Sequence, residues 1–180
     1  MLKRKLLVVG AAAVVLLATA WVANVAGAST ASPAAAKNIN TFVTLYGWVD
    51  NSPPGNGISG GRIHSHAGGT GTFADPVTYA TSVKEQPYGT KIYIPYMKKY
   101  FIHEDECVEC DHDWNNGHKF RTDLWAGGDK NSLKNPEKNA LLNCEDSLTR
   151  HATIIVNPAA GLPVSTTPIF NAKTLKCFQP

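Results

Sequence analysis

Apolar residues are distributed along this chain in two ways. From Leu6 to Ala20 they run without a charge, preceded by Lys3, Arg4 and Lys5 and followed by Ala26-Gly27-Ala28. A basic start, an apolar run and a small-x-small triplet mark a cleavable export signal, so residues 1–28 are expected to be removed, with Ala34-Ala35-Ala36 as a second possible cut. The alternative is an uncleaved anchor, because weak apolar character continues through Ala23, but a spanning helix usually needs roughly 20 such residues. Further along, apolar positions come in short runs rich in β-branched and aromatic residues. Thr41 to Trp48, Lys91 to Tyr96, Tyr100 to His103 and Ala152 to Val156 each read as a strand, the last ended by Asn157-Pro158. Turn-rich stretches, Asn51 to Gly61 and Gly68 to Thr72, lie between them. Around Pro136 to Leu142 a short helix is expected, with proline suited to its first turn. The pattern predicts a mainly β fold: a small barrel of short strands, with long loops and one or two short helices.

Composition changes this picture once the signal is set aside. The whole chain carries 17 basic and 14 acidic residues, but Lys3, Arg4 and Lys5 belong to the signal, which holds no acid. The remainder is balanced, fourteen against fourteen, so the apparent basicity gives no support for nucleic-acid binding. Ser29 to Asn38, rich in Ala, Ser and Pro, is read as a flexible lead-in, and residues 39–180 as one domain. The product is expected to be secreted, monomeric and without stable membrane association.

Cys107, Cys110, Cys144 and Cys177 make an even count, which in an exported chain reads as two disulfides. The C-x-x-C pair, with His103, His112 and His118 nearby, raises zinc as an alternative. A second tight ligand pair is missing, however, and neither a metal nor any other cofactor is expected. Three pairings are open. The favoured ones join each member of the C-x-x-C to a distant cysteine, because longer loops constrain the unfolded chain more.

Candidate chemistry rests on aspartates. Asp123 lies in Arg121-Thr122-Asp123-Leu124-Trp125, read as a strand end; Asp105 lies in the acidic run Glu104-Asp105-Glu106; and Asp75 precedes Pro76. Each taken alone is more simply a turn residue or part of a solvated face. Together they come in a recognisable order. Asp75-Pro76, then Pro87-Tyr88-Gly89-Thr90-Lys91-Ile92-Tyr93-Ile94, then Glu104-Asp105, then Arg121 to Trp125 resemble the three-aspartate (3D) domain, also the catalytic barrel of one class of membrane-bound lytic transglycosylases. The resemblance covers roughly Thr70 to Gly128 and implies a six-stranded double-psi β-barrel, similar to expansins and to barrel endoglucanases and muramidases. It departs from the pattern where Cys107 to Cys110 replaces the D-T-G that follows the acid run, and where Arg121 stands at the expansin histidine position.

By that resemblance Asp123 is the catalytic acid, and Asp75 and Asp105 match the other two aspartates. Tyr46 and Asp50, in Thr44-Leu45-Tyr46-Gly47-Trp48-Val49-Asp50, loosely resemble the T-x-Y-x-D stretch that carries the general base in barrel endoglucanases. The implied substrate is a β-1,4-linked cell-wall polysaccharide, foremost peptidoglycan. Asp123, Asp105 and Asp50 are the expected catalytic carboxyls. Tyr46, Trp48, Asp75, Tyr79 and Trp125 are the expected sugar contacts, with Trp114 a further possible platform. Two rivals share the fold: a non-catalytic wall-binding module of expansin type, and a secreted protease inhibitor. A serine hydrolase finds little support, since Ser59-Gly60-Gly61 and His64-Ser65-His66 read as a flexible polar loop.

Overall fold

The computed structural model describes residues 34–180, so the expected signal lies outside the described residues. Six strands close into a barrel: β1 (Lys37–Gly47), β2 (Val77–Ala80), β3 (Lys91–Ile94), β4 (Lys99–Asp105), β5 (Arg121–Gly127) and β6 (Arg150–Val156), in the order β1-β5-β2-β4-β3-β6. Outside the barrel lie helices α1 (Val108–Asn115) and α2 (Glu137–Leu148), a 3₁₀ turn at Lys130–Leu133, and a ribbon of β7 (Phe170–Asn171) with β8 (Lys176–Cys177). The mainly β barrel with two short helices expected from the pattern is what forms. Among the described residues, no helix is long and apolar enough to cross a membrane.

Two neighbouring pairs, β1 with β5 and β2 with β4, run parallel, and the other four are antiparallel. Side chains alternate across each strand. In β1, Ile39, Thr41, Val43 and Leu45 fill the barrel, with Thr41 Oγ1 3.2 Å from Thr122 Oγ1 of β5. Thr44 and Tyr46 therefore face outward, under the loops. Val43, Ile92, Ile94, Phe101, Leu124 and Ile154 are fully enclosed and form the centre of the core. Burial of each side chain contributes about 1.5–3 kcal/mol. β4 is buried along its whole length because loops cover the face that turns away from the core.

Several expectations need correction. β1 starts at Lys37, inside the predicted lead-in, because Lys37 and Asn38 pair with Val156 and Ile155. Asp123 is the third residue of β5, not its end, since pairing with β1 continues to Gly127. The helix expected to stop near Leu142 runs on to Leu148. Helix α1 is an addition, started by the Cys107 side chain accepting from Cys110 N–H.

The disulfides also differ: Cys107 bonds Cys110, and Cys144 of α2 bonds Cys177 of β8. Capping geometry at α1 brings the first pair within 5.1 Å (Cα–Cα), and packing of α2 on the ribbon brings the second within 5.3 Å. By loop-closure entropy the long bridge contributes roughly 4 kcal/mol and the short one about 2.

Candidate active site

The parallel register of β1 and β5 sets Thr44 beside Asp123 and Tyr46 beside Trp125. Thr44 Oγ1 donates to Asp123 Oδ1 at 2.7 Å. Asp123 is only half-buried, yet its carboxyl is pushed up to about 6. Burial is the main cause, with the negative charges of Asp50 and Glu109 adding to it. The Thr44 hydrogen bond and the Arg121 guanidinium oppose the shift without cancelling it. A carboxyl in this state holds a proton at mildly acidic pH and releases it near neutrality, as a general acid requires.

Asp50 lies in the turn that follows β1. It is exposed, and its Oδ1 accepts the Gly47 N–H at 2.6 Å. This brings its charge to bear on Asp123, and on a residue that the sequence pattern did not single out, Glu145 of α2. Glu145 is enclosed, its Oε1 has no hydrogen-bond partner, and its carboxyl is raised to about 9 by burial and then by Asp50 and Asp123. Asp50, Asp123 and Glu145 thus form one coupled group of carboxyls at the β1/β5/α2 junction.

Asp105 is differently placed. Its Oδ2 accepts from Tyr46 Oη at 2.9 Å, and its Oδ1 accepts from the N–H groups of Ser59 and Glu106 at 3.1 and 3.0 Å. With three donors bound it anchors a loop and orients Tyr46. Tyr46 is held protonated, its hydroxyl raised first by burial and then by Asp105. Its ring meets Trp125 edge to face at 5.3 Å between centroids.

The remaining expected contacts divide. Trp48 is half-buried and lines, with Pro53, Pro54, Ile58 and His66, a cavity of about 420 Å³ whose one carboxyl is Asp105. Trp125 is nearly enclosed and borders a smaller cavity of about 170 Å³. Trp114 packs on Phe120 and His118. Tyr79 is wholly enclosed, donates to Gln86 Oε1 and stacks on His103, so it belongs to the interior and is not a sugar platform. The cavity of about 460 Å³ near Tyr96 and Phe178 contains no carboxyl and is not the seat of this chemistry.

Asp75 belongs to a second cluster. His64 bridges Asp75 Oδ1 (Nε2, 2.9 Å) and Glu104 Oε2 (Nδ1, 2.6 Å). Glu104 Oε1 also accepts the consecutive N–H groups of Arg62, Ile63 and His64. Glu104 is therefore buried, not a solvated acid, and His64 is fixed rather than loose. Burial pulls His64 down, but its bonds to Asp75 and Glu104 outweigh it and leave the imidazole raised. The His64 bond in turn holds Asp75 below the ordinary carboxylate range, and the backbone and His64 donors hold Glu104 low against its burial. This cluster clamps the loop joining β1 to β2. It can be inferred only in part from sequence, since nothing local links His64 to a carboxyl 40 residues away.

All four cysteines are in disulfides, so no thiolate is free to bind zinc. Among the described residues, no three His, Cys, Asp or Glu side chains are placed to hold a metal ion.

Comparison with known proteins gives one family. Residues 38–178 match the family model described as the DDB_G0273701 N-terminal domain. A Dictyostelium discoideum protein, described as uncharacterized protein DDB_G0273701/DDB_G0273221, is 37% identical over 149 residues. That match takes in 82% of this chain and 64% of the relative's length. No solved structure matches. The chain belongs to the DDB_G0273701 N-terminal domain family.

Proposed function

We propose that this is a secreted enzyme that cleaves a β-1,4-linked cell-wall polysaccharide, most plainly peptidoglycan, by acid catalysis from Asp123. The observation that carries the proposal is the state of Asp123: a half-buried carboxyl at the barrel surface, raised to about 6 and coupled to the exposed Asp50. Glycan cleavage needs one carboxyl that keeps a proton to give to the leaving oxygen and a second carboxylate nearby. In the hydrolytic form, Asp123 protonates the glycosidic oxygen as its bond to the anomeric carbon breaks. Asp50 takes a proton from the water that attacks that carbon from the opposite face. In the transglycosylase form, the sugar's own 6-hydroxyl replaces water and its proton returns to Asp123.

Trp48, two residues before Asp50, and the cavity it lines offer a sugar-sized surface. The closed six-strand barrel with two parallel pairs supports the double-psi assignment and, with it, the likeness to transglycosylase, muramidase and expansin barrels. Two disulfides support an exported, oxidising setting.

One observation favours a non-catalytic wall-binding module instead: Asp105 accepts three hydrogen bonds that hold it in place, and Asp50 already accepts the Gly47 N–H. Product mass spectrometry after incubation with purified peptidoglycan separates the two. Anhydro-ended fragments identify a transglycosylase and reducing ends a hydrolase, with either absent in Asp123→Asn. Binding to the polymer without release of any fragment supports the wall-binding module.

A further inference from the structure

Helix α2 contributes a residue to the candidate site that neither the motif pattern nor the barrel strands supply. The backbone makes room for it. A Cβ added to Gly47 would lie 2.6 Å from Glu145 Oε1 and 2.9 Å from Leu141 Cδ2, so any side chain at position 47 collides with this carboxyl. Glu145 is 4% exposed, and its Oε1 is buried with no partner. An acceptor left buried without a donor destabilises the fold, and an arrangement that satisfies it is strongly preferred.

The groups around it decide what that arrangement is. Gly47 ties two of these groups together: its N–H donates to Asp50 Oδ1 at 2.6 Å, and its Cα borders Glu145 Oε1, while β5 brings Asp123 and α2 itself carries Asp146. Among the other packed elements, the 3₁₀ turn carries Lys130 and β8 carries Lys176. Two carboxyls against the same glycine repel one another when both are ionised, but one proton between them allows a hydrogen bond. Of the two, Asp50 is solvated and already accepts the Gly47 N–H, whereas Glu145 is enclosed. The proton therefore belongs on Glu145.

We propose that Glu145 is the positioning residue of this site: protonated, it donates a hydrogen bond to the Asp50 carboxylate. Together with the Gly47 N–H it fixes that carboxylate beside Asp123. Asp50 lies in an exposed turn, and without a second donor its carboxylate is free to rotate away. This role rests on the catalytic reading of Asp50 and Asp123. The hydrogen bond itself is testable without any substrate.

The first arm of the test is a side-chain carboxyl 13C NMR titration of the purified protein. The Glu145 carboxyl is expected to keep its proton through neutral pH, above Glu85, which burial raises to about 7, and to titrate markedly lower in Asp50→Asn. Glu145 titrating in the ordinary glutamate range, or unmoved by Asp50→Asn, overturns the proposal. The second arm uses the polymer assay. Glu145→Ala should lower kcat about 100-fold, with KM little changed, and Glu145→Gln should recover most of it, because the amide N–H donates to Asp50 in place of the acid. Equal loss in both variants at unchanged Tm also overturns it. Should the wild-type protein cleave no glycan, the catalytic reading fails, and the titration arm still decides the Glu145–Asp50 hydrogen bond.

Discussion

Two clusters of titratable groups lie on this barrel, and they differ in how completely they are satisfied. In the His64–Asp75–Glu104 cluster every group has a donor or acceptor, and Glu104 alone accepts three backbone N–H groups and an imidazole. Its carboxyls are held low and its histidine high, so ionisation and folding favour one another. In the Asp50–Asp123–Glu145 cluster, by contrast, a buried oxygen lacks a partner and two carboxyls are pushed up towards their neutral forms. The first arrangement stabilises a loop. The second is costly to the fold, and such cost is usually retained where chemistry needs it. Two sets of acids on one surface are told apart by their hydrogen bonds, although composition treats them alike.

The largest expected effect lies in the second cluster. Asp123→Asn should lower glycan release by about 10³-fold or more, given the typical worth of a general acid, with the far-UV spectrum unchanged. Next comes the clamp. Glu104→Ala removes the acceptor of three N–H groups and leaves His64 facing only Asp75, which should destabilise the protein by about 3–5 kcal/mol in denaturant unfolding. A loss below 1 kcal/mol would show that the loop holds without it. Gly47→Ala sits at the edge of the second cluster and should cost about 1–3 kcal/mol through overpacking against Leu141 and Glu145. It should also reduce activity per folded molecule, read from the same assay after correction for unfolded protein.

The smallest effects are in the pH dependence of stability, where the two clusters have opposite signs. A carboxyl raised to about 6 favours the folded state when protonated, so the Asp123 contribution is complete below about 4 and is lost as pH rises through 6. Asp123→Asn should therefore be more stable than wild type at pH 7 by roughly 1–2 kcal/mol, allowing for solvent screening of a half-buried group. Asp75 and Glu104 act the other way: lowered in the fold, they stabilise it above the ordinary carboxylate range, and that contribution is lost as pH falls through their folded values. His64, raised, contributes fully below its unfolded pKa and loses that contribution as pH climbs through its folded one. His64→Asn should flatten the decline of thermal stability as pH rises above the ordinary histidine range.

The barrel is largely legible from sequence because its strands carry their own signals. Thr41 to Trp48, Lys91 to Tyr96, Tyr100 to His103 and Ala152 to Val156 all fall on strands, with errors confined to the ends. β2 is harder to see: four residues are too short to show a period, and its place between β4 and β5 is fixed only by closure. α1 depends on a disulfide-linked cap, and the Cys144–Cys177 pairing depends on how α2 meets the C-terminal ribbon; neither is written in local spacing.

The site follows the same rule. Thr44, Tyr46 and Asp123 lie on two strands that pair in register, and Asp50 sits in the turn just after the first of them. Glu145 is hidden because its helix has only a weak apolar face, and nothing near Asn143-Cys144-Glu145 distinguishes a buried acid from a solvated one. Asp75, Asp105 and Tyr79 read as site residues by type and spacing. Their hydrogen bonds, which sequence does not disclose, commit them to the clamp, to Tyr46 and to the interior.

The pH–rate profile of fragment release from peptidoglycan, in wild type and Asp123→Asn, bears most directly on the assignment of Asp123. An activity that falls as pH rises through about 6, and that is lost at every pH in the variant, is the expected result. Activity that rises through neutral pH, or that persists in Asp123→Asn, contradicts Asp123 as the acid.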